Sequence, residues 1–128
     1  MPNHGDTFLL ANSGINNHLF IIISDPLLDP DKIVTVNLTS WDSTKDQSCI
    51  VDSGEHPFVR HKSCIRYEGD RLITAEQYDL HLSGDRLISQ SPVSEELLGR
   101  ILAGAAVSRH FPLGHRKILE DQRLIDGE

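Results

Sequence analysis

The chain has 128 residues, of which 38% are hydrophobic and 24% charged, and its 19 acidic side chains outweigh 12 basic ones to give a net charge of −7. That length supports a single hydrophobic core, and the acidic balance excludes a protein that coats nucleic acid by bulk electrostatics, a mode that needs many Lys and Arg against phosphates. No apolar run approaches the roughly 20 residues that cross a bilayer, and Met1 to Asp6 lacks the basic start and apolar core of a secretory leader, so a cytoplasmic protein that avoids the membrane is expected.

Thr7 to Ala11 reads as a first strand, opened by Gly5-Asp6 and closed by Asn12-Ser13-Gly14. His18 to Ser24 is nearly all apolar and β-branched and stops at Asp25-Pro26, the pattern of a central strand buried on both faces. In Lys32 to Thr39 the alternation puts Val34, Val36 and Leu38 on one side and Ile33, Thr35, Asn37 and Thr39 on the other. Shorter strands are expected at Ser48 to Val51, Ser63 to Tyr67 and Arg71 to Ala75, with turns at Asp52-Ser53-Gly54 and Glu68-Gly69-Asp70. A short helix is expected around Ala75 to Leu80 and a turn at Ser83-Gly84-Asp85. The clearest helix follows Ser94, an N-cap, with Glu95 and Glu96 in its first turn and Leu97, Leu98, Ile101, Leu102 and Ala105 on one apolar face. Residues 109–128 form an extension, either a short helix from Lys117 to Leu124 or a loose tail.

The residues between Asn37 and Lys62 carry most of the chemistry. Thr39 and Ser40 end the third strand, and one loop later comes His56-Pro57-Phe58-Val59-Arg60-His61-Lys62. Hydroxyls can bond a phosphate oxygen, a guanidinium can grip it and an imidazole can move protons near neutral pH, so this is a phosphate-handling inventory; an ordinary polar loop has the same composition. From His56 to Arg71 the local balance is net +2 within a chain of −7. Cys49, His56, His61 and Cys64 fall within sixteen residues, but without the short paired spacings of a zinc clamp. No metal or cofactor is expected, and both cysteines read as small buried strand residues.

Early strands joined by polar turns, with one late amphipathic helix, point to a mainly β fold with a C-terminal helix, a small SH3-like barrel over residues 5–108 with its helix at about 94–108. The order of these features resembles the PemK/MazF superfamily of toxin–antitoxin toxins: Gly5-Asp6 opening the first strand, a second ending in Ser24-Asp25, a third ending in Leu38-Thr39-Ser40, the following strands, and a helix introduced by Ser after Pro. The resemblance implies a homodimer neutralised by an antitoxin and a metal-independent endoribonuclease that cuts single-stranded RNA by 2′-hydroxyl attack. It maps the family's strand-end hydroxyl onto Thr39 or Ser40. Where the family often has Arg-Pro, this chain has His18-Leu19, and the preceding loop, Asn12 to Asn17, has no basic residue.

In that reading His18, His56 or His61 moves protons, Arg60 supplies the charge of the missing arginine, and Thr39 and Ser40 hold the scissile phosphate. Trp41, Phe58, Lys62 and Arg66 are the candidate RNA-binding residues, the two aromatics by stacking on bases. The rival expectation is a non-catalytic binding module of the same fold, with its polar edge gripping a protein or nucleic-acid partner.

Overall fold

A computed structural model describes residues 1–11 and 18–126; the turn and loop expected within Asn12 to Asn17 lie outside them. The strands are β1 (Thr7–Leu10), β2 (Leu19–Ile22), β3 (Ile33–Ser40), β4 (Ile50–Val51), β5 (Ser63–Ile73) and β6 (Leu87–Gln90); the helices are α1 (Ala75–Ser83), α2 (Glu95–Val107) and α3 (Leu113–Asp121). The strands form one six-stranded sheet in the order β4-β5-β3-β2-β1-β6, every neighbouring pair antiparallel.

The alternation in β3 sorts its side chains as its sequence requires. Val34, Val36 and Leu38 enter the larger core with Leu19, Ile21, Ile65 and Tyr67, under Leu97, Ile101 and Ala105 of α2. Ile33 enters a second core with Phe8, Phe20, Ile22 and Leu87, where Tyr78 of α1 covers it. Phe8 and Phe20 stack at 5.4 Å, and Tyr78 meets Phe8 edge-on at 5.7 Å. Residues after 108 add Phe111, Leu119 and Ile125 to the larger core, Leu119 from α3 and the other two from the segments that flank it.

Three expectations need correction. The sheet is not closed into a barrel: both faces of its centre are apolar, helices cover each face, and its edge strands share no ladder among the described residues. The edges meet through side chains instead, since the Ser91 carbonyl after β6 accepts from Thr7 Oγ1 at 2.6 Å and from His56 Nε2, in the loop after β4, at 2.5 Å. Second, Glu68-Gly69-Asp70 does not reverse the chain. Asn37 pairs Arg66 while Thr35 pairs Arg71, so the turn signal is spent as a large bulge within one continuous strand, β5. Third, β6 forms where no strand was expected, because its pairing with β1 is decided by tertiary contact rather than by its own alternation.

The helices start where local chemistry says they should. Thr74 and Gln77 form a reciprocal capping box for α1, and the Ser94 hydroxyl accepts from Leu97 N–H at 3.1 Å to start α2. Helix α2 lies close on the sheet at Gly104, where an added Cβ would collide with the Tyr67 hydroxyl and the Ser48 carbonyl. That hydroxyl donates to the Ile101 carbonyl at 2.7 Å, and burial pushes its pKa up. Burial also raises the Cys64 thiol and pushes Cys49 up to about 11, so both free cysteines stay protonated near neutral pH.

Asp46 ties the loop after β3 to the end of α2: its carboxylate accepts from Ser48 N–H at 2.8 Å and from the Ser48 and Ser108 hydroxyls, each at 2.5 Å. Burial by itself would raise this carboxyl, but the Ser108 and Ser48 hydrogen bonds outweigh it and hold the pKa below the usual aspartate value. A depressed folded-state pKa means the stabilisation is present above the unfolded value of about 3.9 and is lost as pH falls through the folded one. Asp46→Asn should therefore lower the urea midpoint near neutral pH, and its deficit against wild type should shrink on acidification below about pH 4. Gly104→Ala should cost about 1–3 kcal/mol by overpacking. In the double variant with Tyr67→Phe the losses should fall short of additive, because removing the hydroxyl frees part of the space the new methyl needs.

Candidate active site

Three segments build a groove at the end of β3. The ladder of β3 with β5 runs out at Thr39↔Cys64 and Ser40↔Ser63, leaving Thr39 half-buried and Ser40 exposed. Beyond it the chain folds back on itself. Asp42 Oδ1 accepts from Thr44 N–H at 2.8 Å and from the Thr44 hydroxyl, while Lys45 N–H donates to the Asp42 carbonyl at 3.2 Å. Those Thr44 bonds, with the Lys45 charge, hold the Asp42 carboxyl below the usual aspartate range. This turn returns Lys45 to the strand end, where its Nζ donates to the Ser40 carbonyl at 2.7 Å and to Thr39 Oγ1 at 3.3 Å.

The second segment is the loop between β4 and β5, anchored by His56. That imidazole is buried; Phe58 N–H donates to its Nδ1 at 3.0 Å and its Nε2–H donates to the Ser91 carbonyl at 2.5 Å. Because a backbone N–H can only donate and a carbonyl can only accept, these partners select the neutral Nε2–H tautomer. With both nitrogens committed, His56 holds the loop and is not a free proton carrier. Val59 is buried beside it, and Arg60 and His61 emerge exposed. The Ser40 hydroxyl and His61 Nε2 are 2.7 Å apart.

The third segment is the entry to β2. His18 Nδ1 donates to the Leu38 carbonyl at 3.2 Å, so in its neutral form the ring keeps a lone pair on Nε2. His18, Thr39, Ser40, Lys45, Arg60 and His61 together line a groove of about 770 Å³, with Pro57 and Phe58 on its wall and Gln90 of β6 at its margin. Among the described residues no carboxylate lines this groove, and Arg60 has no hydrogen bond or ion pair there.

Of the residues the sequence singled out, His18, Thr39, Ser40, Phe58, Arg60 and His61 share this groove, whereas His56 is committed to the scaffold behind it. Trp41, Lys62 and Arg66 lie elsewhere: Lys62 Nζ sits 3.9 Å over the Trp41 ring, and Arg66 Nε pairs with Glu68 at 3.3 Å beside a second pocket. Lys45 and Gln90 were not anticipated. Asp42-Ser43-Thr44 is a legible turn signal that could have returned Lys45 to the strand end, but nothing local to Gln90 could have placed it.

No protein-family model matches the chain, and no curated protein matches it by sequence. Among solved structures, it is similar to an endoribonuclease in complex with its cognate antitoxin from a mycobacterial species, at 15% identity and a TM-score of 0.57 over 88% of this chain and 98% of that one. At that identity the likeness establishes a shared fold, an antiparallel sheet dressed with helices, and the groove described above belongs to a chain of that fold.

Proposed function

We propose that this protein is the toxin of a toxin–antitoxin pair of the PemK/MazF type, a cytoplasmic endoribonuclease that cleaves single-stranded RNA through the groove at the end of β3. The observation that carries the reading is local: two cations, two imidazoles and three hydroxyls line one groove, with no carboxylate among the described residues, in a chain whose net charge is −7. The shared fold with an endoribonuclease bound to its antitoxin supports it and the antitoxin partner that belongs to it; the homodimer is part of the proposal through the resemblance to the PemK/MazF type alone.

The chemistry follows from the donors and acceptors available. His18 Nε2 takes the proton of a ribose 2′-hydroxyl, whose oxygen attacks the adjacent phosphorus. Arg60 and Lys45, with the Thr39 hydroxyl, hold the negative charge that builds on the non-bridging oxygens. Protonated His61 passes a proton through the Ser40 hydroxyl to the departing 5′-oxygen, giving a 2′,3′-cyclic phosphate and a 5′-hydroxyl. Here His18 stands where the related toxins often carry arginine, and the guanidinium comes from the loop after β4 instead.

Mixed single-stranded RNA incubated with the purified protein should yield fragments ending in cyclic phosphate; RNA left intact across a broad pH range would remove the enzymatic reading. The second reading, a binding module of the same fold, is favoured by the His18-Leu19 replacement and predicts retention of RNA without cleavage. If the protein cuts, Arg60→Ala should lower kcat by about 10²–10³-fold and His18→Ala by about 10²–10⁴-fold, with the folded structure retained in both. His56→Ala should act differently, lowering stability by about 1–3 kcal/mol because it removes the bond from the loop to the Ser91 carbonyl and leaves the half-buried Phe58 N–H without its acceptor. Thermal melts set beside turnover separate the two effects.

A further inference from the structure

A second pocket, of about 430 Å³, adjoins the groove and shares Thr39 and Lys45 with it. Its apolar lining includes Cys64 and Ile65, both buried, and its rim carries Arg66 and His110, two planar side chains that are half exposed. Two carboxylates also line it, Asp46 and Glu68. Glu68 Oε1 lies 3.3 Å from Arg66 Nε and its Oε2 lies 3.4 Å from His110 Nδ1, so each oxygen has one protein partner and keeps a further lone pair.

Resting on the reading of the groove as an RNA site, we propose that this pocket receives the nucleobase next to the phosphate held at Lys45, and that Glu68 selects a base presenting an exocyclic amino group. A phosphate does not suit the pocket, because two carboxylates repel it. A base suits it on three counts: an apolar lining for its face, a guanidinium and an imidazole at the rim to stack on, and acceptors for its edge. Continuity with the groove supplies the geometry. Lys45 and Thr39 line both cavities, so a phosphodiester contacting them puts the neighbouring nucleotide within reach of the second pocket.

Cytosine and uracil test the proposal, since cytosine presents the N4–H₂ donor beside an N3 acceptor where uracil presents the O4 acceptor beside N3–H. Cytosine N4–H₂ donates to a carboxylate, whereas uracil O4 opposes it acceptor to acceptor. The test uses uncleavable 2′-deoxy oligomers of dC and dU of equal length, binding the full chain at one fixed salt concentration and read by fluorescence anisotropy. Wild type should bind the dC oligomer about tenfold more tightly than the dU oligomer. Glu68→Gln should bring the two within about twofold, because an amide can donate to uracil O4 as readily as it accepts from cytosine. Equal binding of both oligomers by wild type, or a preference that survives Glu68→Gln, would overturn the assignment. Failure of both oligomers to bind would overturn it together with the RNA groove. A preference that collapses in Glu68→Gln, in a protein that leaves RNA uncut, would uphold the pocket while removing the catalytic proposal.

Discussion

A strand that is apolar on both faces has to be covered twice, and β2 imposes that constraint on the whole molecule. Its Leu19 and Ile21, with Val34, Val36 and Leu38 of β3, demand one cover and receive α2, while Phe20 and Ile22, with Ile33 of β3 and Phe8 of β1, demand another and receive Tyr78 of α1. At about 25 cal/mol per Å² of apolar surface removed from water, leaving either face open would forfeit several kcal/mol. The double cover accounts for an open sheet rather than a closed barrel. It also explains why the polar end of β3 is where the chemistry collects: Thr39 and Ser40 are the first residues of β3 to leave the shelter of both cores.

The groove depends on hydrogen bonds that reach across the sheet. The loop carrying Arg60 and His61 hangs from one edge strand, and it is fastened to the opposite edge by His56 through the Ser91 carbonyl. The same carbonyl accepts from Thr7 on β1, so two elements far apart in sequence meet at one acceptor. A buried imidazole with both nitrogens satisfied fixes the loop's position. Once the loop is fixed, His61 can stand within hydrogen-bond reach of Ser40, and Arg60 can line the groove with no carboxylate beside it among the described residues.

Charge is distributed with the same economy. Several cations among the described residues are matched locally: Arg100 with Glu55, Arg66 with Glu68, Arg116 with Glu120, and Lys117 with Asp121. Exposed pairs of this kind contribute little stability, but each one takes a cation out of contention as a phosphate contact. Lys45 is intermediate, 3.8 Å from Asp42 yet held against the strand end by Ser40 and Thr39. An acidic protein can therefore present one groove with no carboxylate among its described residues without being basic as a whole, and a short cationic surface suffices where binding is confined to a few phosphates.

Local rules made a good part of this molecule legible in its sequence. The faces of β3, the capped starts of α1 and α2, and the apolar second strand follow from alternation and from hydroxyl caps, which act within a few residues. Six of the groove's residues were legible as well, because Thr39, Ser40, Phe58, Arg60 and His61 lie within one stretch of chain and His18 opens a strand paired to it. Tertiary structure alone decided the rest. It turned Glu68-Gly69-Asp70 into a bulge, made a strand of Leu87–Gln90, withdrew His56 into the scaffold and brought Gln90 to the groove. In each case the outcome depends on which distant donor, acceptor or apolar surface arrives opposite the residue, and a linear sequence does not carry that distance.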